Sequence, residues 1–137
     1  MALFTWSREY SVGNDLMDGE HQTLFEMGDR LHNAMLAGRG HAVLRSLFTQ
    51  LADYTRTHFS HEEALMARCA YPELTAHADL HRELTARFSQ LQDDLNGGKT
   101  EITMDTLQFV RDWLQRHIDK KDRLVARHVR EAHMAHR

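Results

Sequence analysis

Apolar side chains recur every three or four positions along four stretches of the chain, the spacing of amphipathic helices. The first stretch carries Met17, Leu24, Leu31 and Met35, and the second Leu44, Leu47, Leu51, Tyr54, Leu65 and Cys69. The third carries Leu74, Leu84, Phe88, Leu91 and Leu95, and the fourth Leu107, Val110, Leu114, Ile118, Val125 and Val129. Gly38-Arg39-Gly40 and Asn96-Gly97-Gly98 are turn sequences that separate them. Pro72, the only proline, suits a helix's first turn and disfavours helix in the residue before it. One helix is therefore expected to end near Ala70 and another to begin near Pro72. Thr103 is placed to cap the fourth helix. Short connections between four long helices predict an all-α fold, an antiparallel up-down-up-down four-helix bundle. Residues 1–16 lack the helical period, and Leu3, Phe4, Trp6 and Tyr10 predict a non-helical arm packed along the bundle. Residues 123–137 read as an extension of the last helix.

The apolar stripes have polar gaps, and histidine fills most of them. The first stripe includes His21, the second His58 and Glu62, the third His77 and His81, and the fourth His117. A buried polar group without a partner costs roughly 1–3 kcal/mol. One lone histidine of this kind reads as a satisfied core residue. Several at similar depth on four helices are explained together by a shared metal site. His58–Glu62 and His77–His81 are i, i+4 pairs, each aiming two side chains from one face. His117 and Asp122 are five apart, about 140° around an ideal helix. To aim both at one point, Asp122 must reach around or the helix must carry a π-type turn, so a local irregularity is expected between 117 and 122.

Composition narrows the functional classes. The chain has 137 residues, the size of a single domain over 1–137. A net charge of −3 argues against nucleic acid as a partner. The single Cys69 excludes an intrachain disulfide framework and suits a reducing compartment. No apolar run approaches the roughly 20 residues that cross a bilayer, and the N-terminus lacks the features of a signal peptide. The expectation is a cytoplasmic protein without membrane insertion. The 11 histidines are the one unusual count, and five of them fall on the stripes already described.

One histidine on the first helix, HxxxE on the second, HxxxH on the third and HxxxxD on the fourth form a recognisable order. Here it stands as GEH at 19–21, HFSHE at 58–62, HADLH at 77–81 and HIDKKD at 117–122. Trp6, Tyr10-Ser11-Val12-Gly13, Tyr71-Pro72 and Trp113-Leu114 before His117-Ile118 add to it. The pattern covers about residues 4–125 and resembles the hemerythrin family, in its single-domain bacterial form. The resemblance implies two iron ions in a non-haem, oxo- or hydroxo-bridged di-iron centre. His77, His81 and His117 would bind one iron and His21 and His58 the other, with Glu62 and Asp122 bridging. Two octahedral ions offer about twelve positions, and these ligands with the bridging oxygen leave roughly one open, on the two-histidine side. The implied function is reversible dioxygen binding for carriage, storage or delivery, by a protein that is not an enzyme. Trp113, Leu114 and Ile118 are the expected apolar wall of the oxygen pocket. The alternatives are an oxygen or redox sensor acting in trans, and a di-iron enzyme handling peroxide or nitric oxide. The chain contains no Glu-x-x-His, the motif of the carboxylate-rich di-iron proteins.

The remaining polar residues are expected to do less. His32, His41 and His61 read as surface residues, and Glu63 as a solvent-facing neighbour of Glu62. Cys69 reads as a small core residue. Arg123, Arg127 and Arg130 share one face of the tail, with His128, His133 and His136 nearby. The plain expectation is a helix extension with cations near its C-terminus; the sharper one is a docking surface for an oxygen-consuming partner.

Overall fold

A computed structural model describes residues 3–98 and 101–135 of the chain. The elements are α1 (Asp15–Leu36), α2 (His41–Arg68), α3 (Leu74–Asn96), α4 (Met104–His117) and α5 (Arg123–Ala135). A π-helical turn, Ile118–Asp122, joins α4 to α5, and together they form the fourth long helix. Helix α1 packs against α2 and α4, and α2 packs against α3, the closure of an up-down-up-down bundle. The expected fold class is what the chain adopts.

Local chemistry sets the helix ends. Asn14 accepts the Met17 amide at 3.0 Å and starts α1. Thr103 accepts the Thr106 amide at 3.2 Å and starts α4, as its position in the sequence suggests. Gly38 closes α1 in the left-handed region, with φ of 69°. Helix α2 ends at Arg68 with Cys69 as its C-cap, close to the expected Ala70. Ala70 there takes a φ of 51°, and the Tyr71 amide bonds back to the Met66 carbonyl at 2.9 Å, so the chain has already turned before Pro72. Helix α3 starts only at Leu74.

Burial is wider than the single stripes suggested. Phe25, Phe48, Phe59 and Met66 are core residues beside the expected lines, while Leu44, Leu47, Tyr54 and Leu65 are only half-buried. His32, expected at the surface, is 5% exposed. It lies one turn after Gly28, where α1 buries two adjacent columns rather than one. His61 is exposed and His41 partly so. Cys69 is half-buried as the residue that ends α2 rather than a core member.

The N-terminal arm packs Phe4 into the core, with Leu3, Trp6 and Tyr10 partly buried against it. It is shorter than expected, with a 3-10 turn at Arg8–Tyr10 and helix from Asp15. Asp18 accepts from the Ser11 hydroxyl at 2.6 Å and the Val12 amide at 2.8 Å. From the far end of the chain, Arg123 donates to the Ser11 and Glu9 carbonyls at 2.9 and 2.8 Å. Arg130 donates to the Val12 carbonyl at 2.8 Å. His128 bonds the Cys69 carbonyl at 2.9 Å. Two of the three tail arginines therefore hold the protein's own arm, which favours the plain reading of this extension. Residues 136–137, with His136, lie outside the described residues.

The arm sits close to α1 because Gly28 lets it. A Cβ at Gly28 would lie 2.7 Å from the Phe4 ring, whereas one at Gly19 would meet nothing within 4 Å. Gly28→Ala is expected to lower stability by about 1–2 kcal/mol through overpacking. Gly19→Ala should raise it by about 0.5–1 kcal/mol through helix propensity. Denaturant titration of the two variants checks this; equal shifts would mean the Phe4 contact carries no weight.

Candidate metal centre

In an up-down bundle the start of one helix lies beside the end of the next. His21 stands near the start of α1, His58 and Glu62 near the end of α2, and His77 and His81 near the start of α3. His117 ends α4 and Asp122 ends the π-turn. All seven side chains thus meet at one end of the bundle, and all are buried. The expected irregularity between 117 and 122 is present as the π-turn, which brings Asp122 round to the His117 face. Asp122 Oδ1 lies 3.0 Å from His117 Nε2.

Two groups of ligating atoms form around the two carboxylates. Glu62, His77, His81, His117 and Asp122 make one, and His21, His58, Glu62 and Asp122 the other. Each carboxylate turns one oxygen to each group. Glu62 Oε1 faces His81 Nε2 at 3.1 Å, while Oε2 faces His58 Nε2 at 3.1 Å and His21 Nε2 at 3.3 Å. Asp122 Oδ1 faces His77 Nε2 at 3.0 Å, while Oδ2 faces His21 Nε2 at 3.0 Å.

Several of these atoms have no hydrogen bond despite the short distances. Glu62 Oε1, Asp122 Oδ1, His58 Nε2 and His77 Nε2 are buried and unpartnered. His81 Nε2 and His117 Nε2 face each other at 3.0 Å. Nitrogen and oxygen atoms that converge this closely, several of them unpartnered, fit a pair of cations, which would satisfy both kinds of atom together. Imidazole and carboxylate suit iron, and also zinc, copper or nickel.

Outer carboxylates aim the rings. Glu20 Oε1 lies 2.7 Å from His58 Nδ1, and Glu63 Oε2 lies 3.0 Å from His81 Nδ1. An Nδ1–H donated outward leaves Nε2 facing inward, the usual device for a histidine ligand. Glu63 is therefore not the solvent-facing bystander expected; it reaches across from α2 to α3. Glu20 also accepts from exposed His61 at 2.6 Å. Neither glutamate lies on an apolar stripe, and each finds its histidine on another helix, so the spacing along one helix gave no signal for them. Phe59 stacks on His81 with centroids 3.8 Å apart, and Trp113 stacks on His117 at 4.5 Å. Trp113, expected in the apolar wall with Leu114 and Ile118, thus lies against the three-histidine group. Leu114 and Ile118 are fully buried, one turn apart on the adjacent face of the helix.

Electrostatics follow from that packing. Burial favours the neutral His58 ring, but the nearby Glu62 charge and the bond to Glu20 outweigh it and hold its pKa up at about 10. Burial likewise opposes charge on His21, yet the bonds to Asp122 and Glu62 raise it. His117 is lowered, chiefly by burial. Burial works against ionisation of Glu62, and so does the Asp122 charge, but His58 and His21 bring it well below the carboxylate range. Burial opposes ionised Asp122 too, and His117, His21 and His77 overcome it. Without metal, charged rings close to the two carboxylates hold the site together. His58 titrates above its ordinary value of 6.5, so its contribution to the metal-free fold is complete below that value and is lost as pH rises through about 10.

The hemerythrin HHE cation binding domain matches residues 12–129 of the chain. A bacteriohemerythrin of Methylococcus capsulatus is 36% identical over 125 residues, covering 90% of this chain and 95% of that protein. Myohemerythrin-1 of Phascolopsis gouldii is 29% identical, covering 87% and 88%. The crystal structure of a wild-type hemerythrin is similar with a TM-score of 0.89 at 33% identity, covering 93% of this chain and 98% of that one.

Metal loading at neutral pH is expected to displace protons from His21 and His58, so affinity should rise with pH. Calorimetric titration in buffers of different ionisation enthalpy measures the release; a heat independent of buffer would contradict it. Glu20→Ala should weaken loading by about 10–100-fold by freeing the His58 ring.

Proposed function

The chain belongs to the hemerythrin family, and from that premise we propose that the cluster holds two iron ions and binds dioxygen reversibly. The supporting observation is the unequal division of histidines around two shared carboxylates. His77, His81 and His117 gather on one side and His21 and His58 on the other. Glu62 and Asp122 each offer an oxygen to both sides. Held by these residues and an oxo or hydroxo bridge, two octahedral ions would leave roughly one position for a small ligand, on the side with fewer histidines. Two ferrous ions, when bound, supply the electrons that dioxygen takes up and recover them on release.

The protein's own residues keep this reversible. Glu20 and Glu63 fix His58 and His81 in the tautomer that presents Nε2 inward. Leu114 and Ile118 form the apolar wall and exclude water, which would otherwise bring the protons that release reduced oxygen. Trp113 and Phe59 close the outer faces of His117 and His81. No helix among the described residues is long and apolar enough to cross a membrane. We take residues 1–137 as one such domain, acting in the cytoplasm as a carrier or store.

Anaerobic loading with ferrous iron, followed by admission and removal of oxygen, tests the reading. A charge-transfer absorption that appears and disappears over repeated cycles is expected. Immediate irreversible oxidation would rule out carriage and favour the peroxide- or nitric-oxide-handling alternative. His77→Ala should lose stable binding of the metal pair, while His61→Ala, altering a side chain 53% exposed, should keep two irons per chain by metal analysis.

A further inference from the structure

A cleft of about 400 Å³ opens between α3 and α4 on the outer side of the three-histidine group. Trp113 and His117 line it, with Arg116, Lys120, Lys121 and Glu83 among its other walls. Arg116 and Lys120 are one turn apart on the same helix face, and Lys121 stands one turn beyond His117. Lys120 pairs with Asp119 at 3.6 Å, an exposed pair in which the lysine side chain is 70% exposed. Arg116 and Lys121 make no ion pair among the described residues. Glu83 is the one acidic residue lining the cleft. Three cations thus crowd one rim of a protein whose net charge is −3.

The neighbouring cleft between α2 and α3 shows that this is not a general feature. It reaches Phe59 and His81 in the same way, but its cations are matched. Arg56 pairs with Asp53 and bonds Ser89 and Gln92. Arg82 pairs with Asp79. Among the described residues of these two clefts, the α3–α4 one keeps an excess of positive charge, Arg116 and Lys121 having no ion pair, beside an aromatic contact to a candidate ligand. The Trp113 ring is half-buried and lies on the His117 imidazole at 4.5 Å, with an interplanar angle of 18°. His117 Nε2 in turn faces the metal cluster.

We propose that this cleft is the docking surface for a small acidic one-electron-carrier protein, which returns the oxidised centre to its ferrous state through Trp113 and His117. The proposal rests on the di-iron reading above. A carrier that oxidises without releasing oxygen is trapped with both irons ferric, and needs a reductant. Each encounter removes one electron from the donor and converts one ferric ion to ferrous. Two encounters restore the pair, and protons from solvent at the bridging oxygen offset the loss of positive charge. The basic groups stand on an exposed rim rather than on the cleft floor, an arrangement that steers an extended acidic surface. The rest of this net-negative chain would repel the same partner, so the rim also sets its orientation.

The test uses the fully oxidised, iron-loaded protein and a reduced [2Fe–2S] ferredoxin as the acidic donor. Stopped-flow mixing gives the second-order rate of reduction. Reversing the rim with Arg116→Glu, Lys120→Glu and Lys121→Glu together should slow it by about tenfold or more, and added salt should slow the wild type. The cationic methyl viologen radical should reduce both proteins at least equally well. A milder set, Arg116→Gln with Lys120→Gln and Lys121→Gln, guards against a folding defect and should fall between. Binding is read without redox chemistry from amide shifts of the zinc-loaded protein, where ferredoxin should perturb α3 and α4 around the cleft. Equal rates in all variants with no salt dependence would overturn the proposal. So would saturable binding of inorganic phosphate that blocks ferredoxin at constant ionic strength, which would make the cleft a small-anion site. Docking here by a protein that fails to cycle oxygen would leave the surface assigned and the oxygen reading wrong; oxygen cycling without docking would show the reverse.

Discussion

Two carboxylates buried side by side are the constraint around which this bundle is arranged. Glu62 and Asp122 both sit in the interior, 2% and 1% exposed, where ionised groups are tolerated only if matched. Five imidazoles surround them. The match needs one ring from α1, one from α2, two from α3 and one from α4, so it ties all four long helices together at one end. The π-turn is part of the same requirement. A regular helix would carry Asp122 away from His117, and one wider turn returns it.

The support spreads outward from that point. Glu20 and Glu63 bind the outer nitrogens of His58 and His81 and link α1 to α2 and α2 to α3. Phe59 and Trp113 cover the rings of His81 and His117. The two histidine groups differ in their surroundings as well as their number. His58 connects through Glu20 to the exposed His61, whereas His117 lies against a tryptophan at the mouth of a basic cleft. The arm is held separately, by Arg123 and Arg130 on α5 and by Asp18 on α1.

Much of this was legible along the chain. A ligand that must point inward occupies an apolar stripe, so His21, His58, Glu62, His77, His81 and His117 appeared as gaps in a helical period. The spacing of His117 and Asp122, wrong for a regular helix, announced the π-turn. Thr103 and the two glycine-containing breaks marked helix boundaries for local reasons. His32, Phe25, Phe48 and Phe59 do not stand out along the chain, because a helix clasped by two neighbours buries two columns and a single period reveals one. Pro72 marked the break between α2 and α3, and Ala70 in the left-handed region makes the turn there.

The sequence by itself determined the four helices, the residues that turn inward and the break in regularity at the fourth helix. Each of these is a property of one segment and its period. Tertiary structure alone decided which residues support the site from outside it. Glu20, Glu63 and the cations of the α3–α4 cleft lie off the apolar stripes, where sequence offers no distinction from any solvated charge. Their roles arise only when a neighbouring helix brings an imidazole nitrogen or an aromatic face to them, and that pairing is set by how the helices pack.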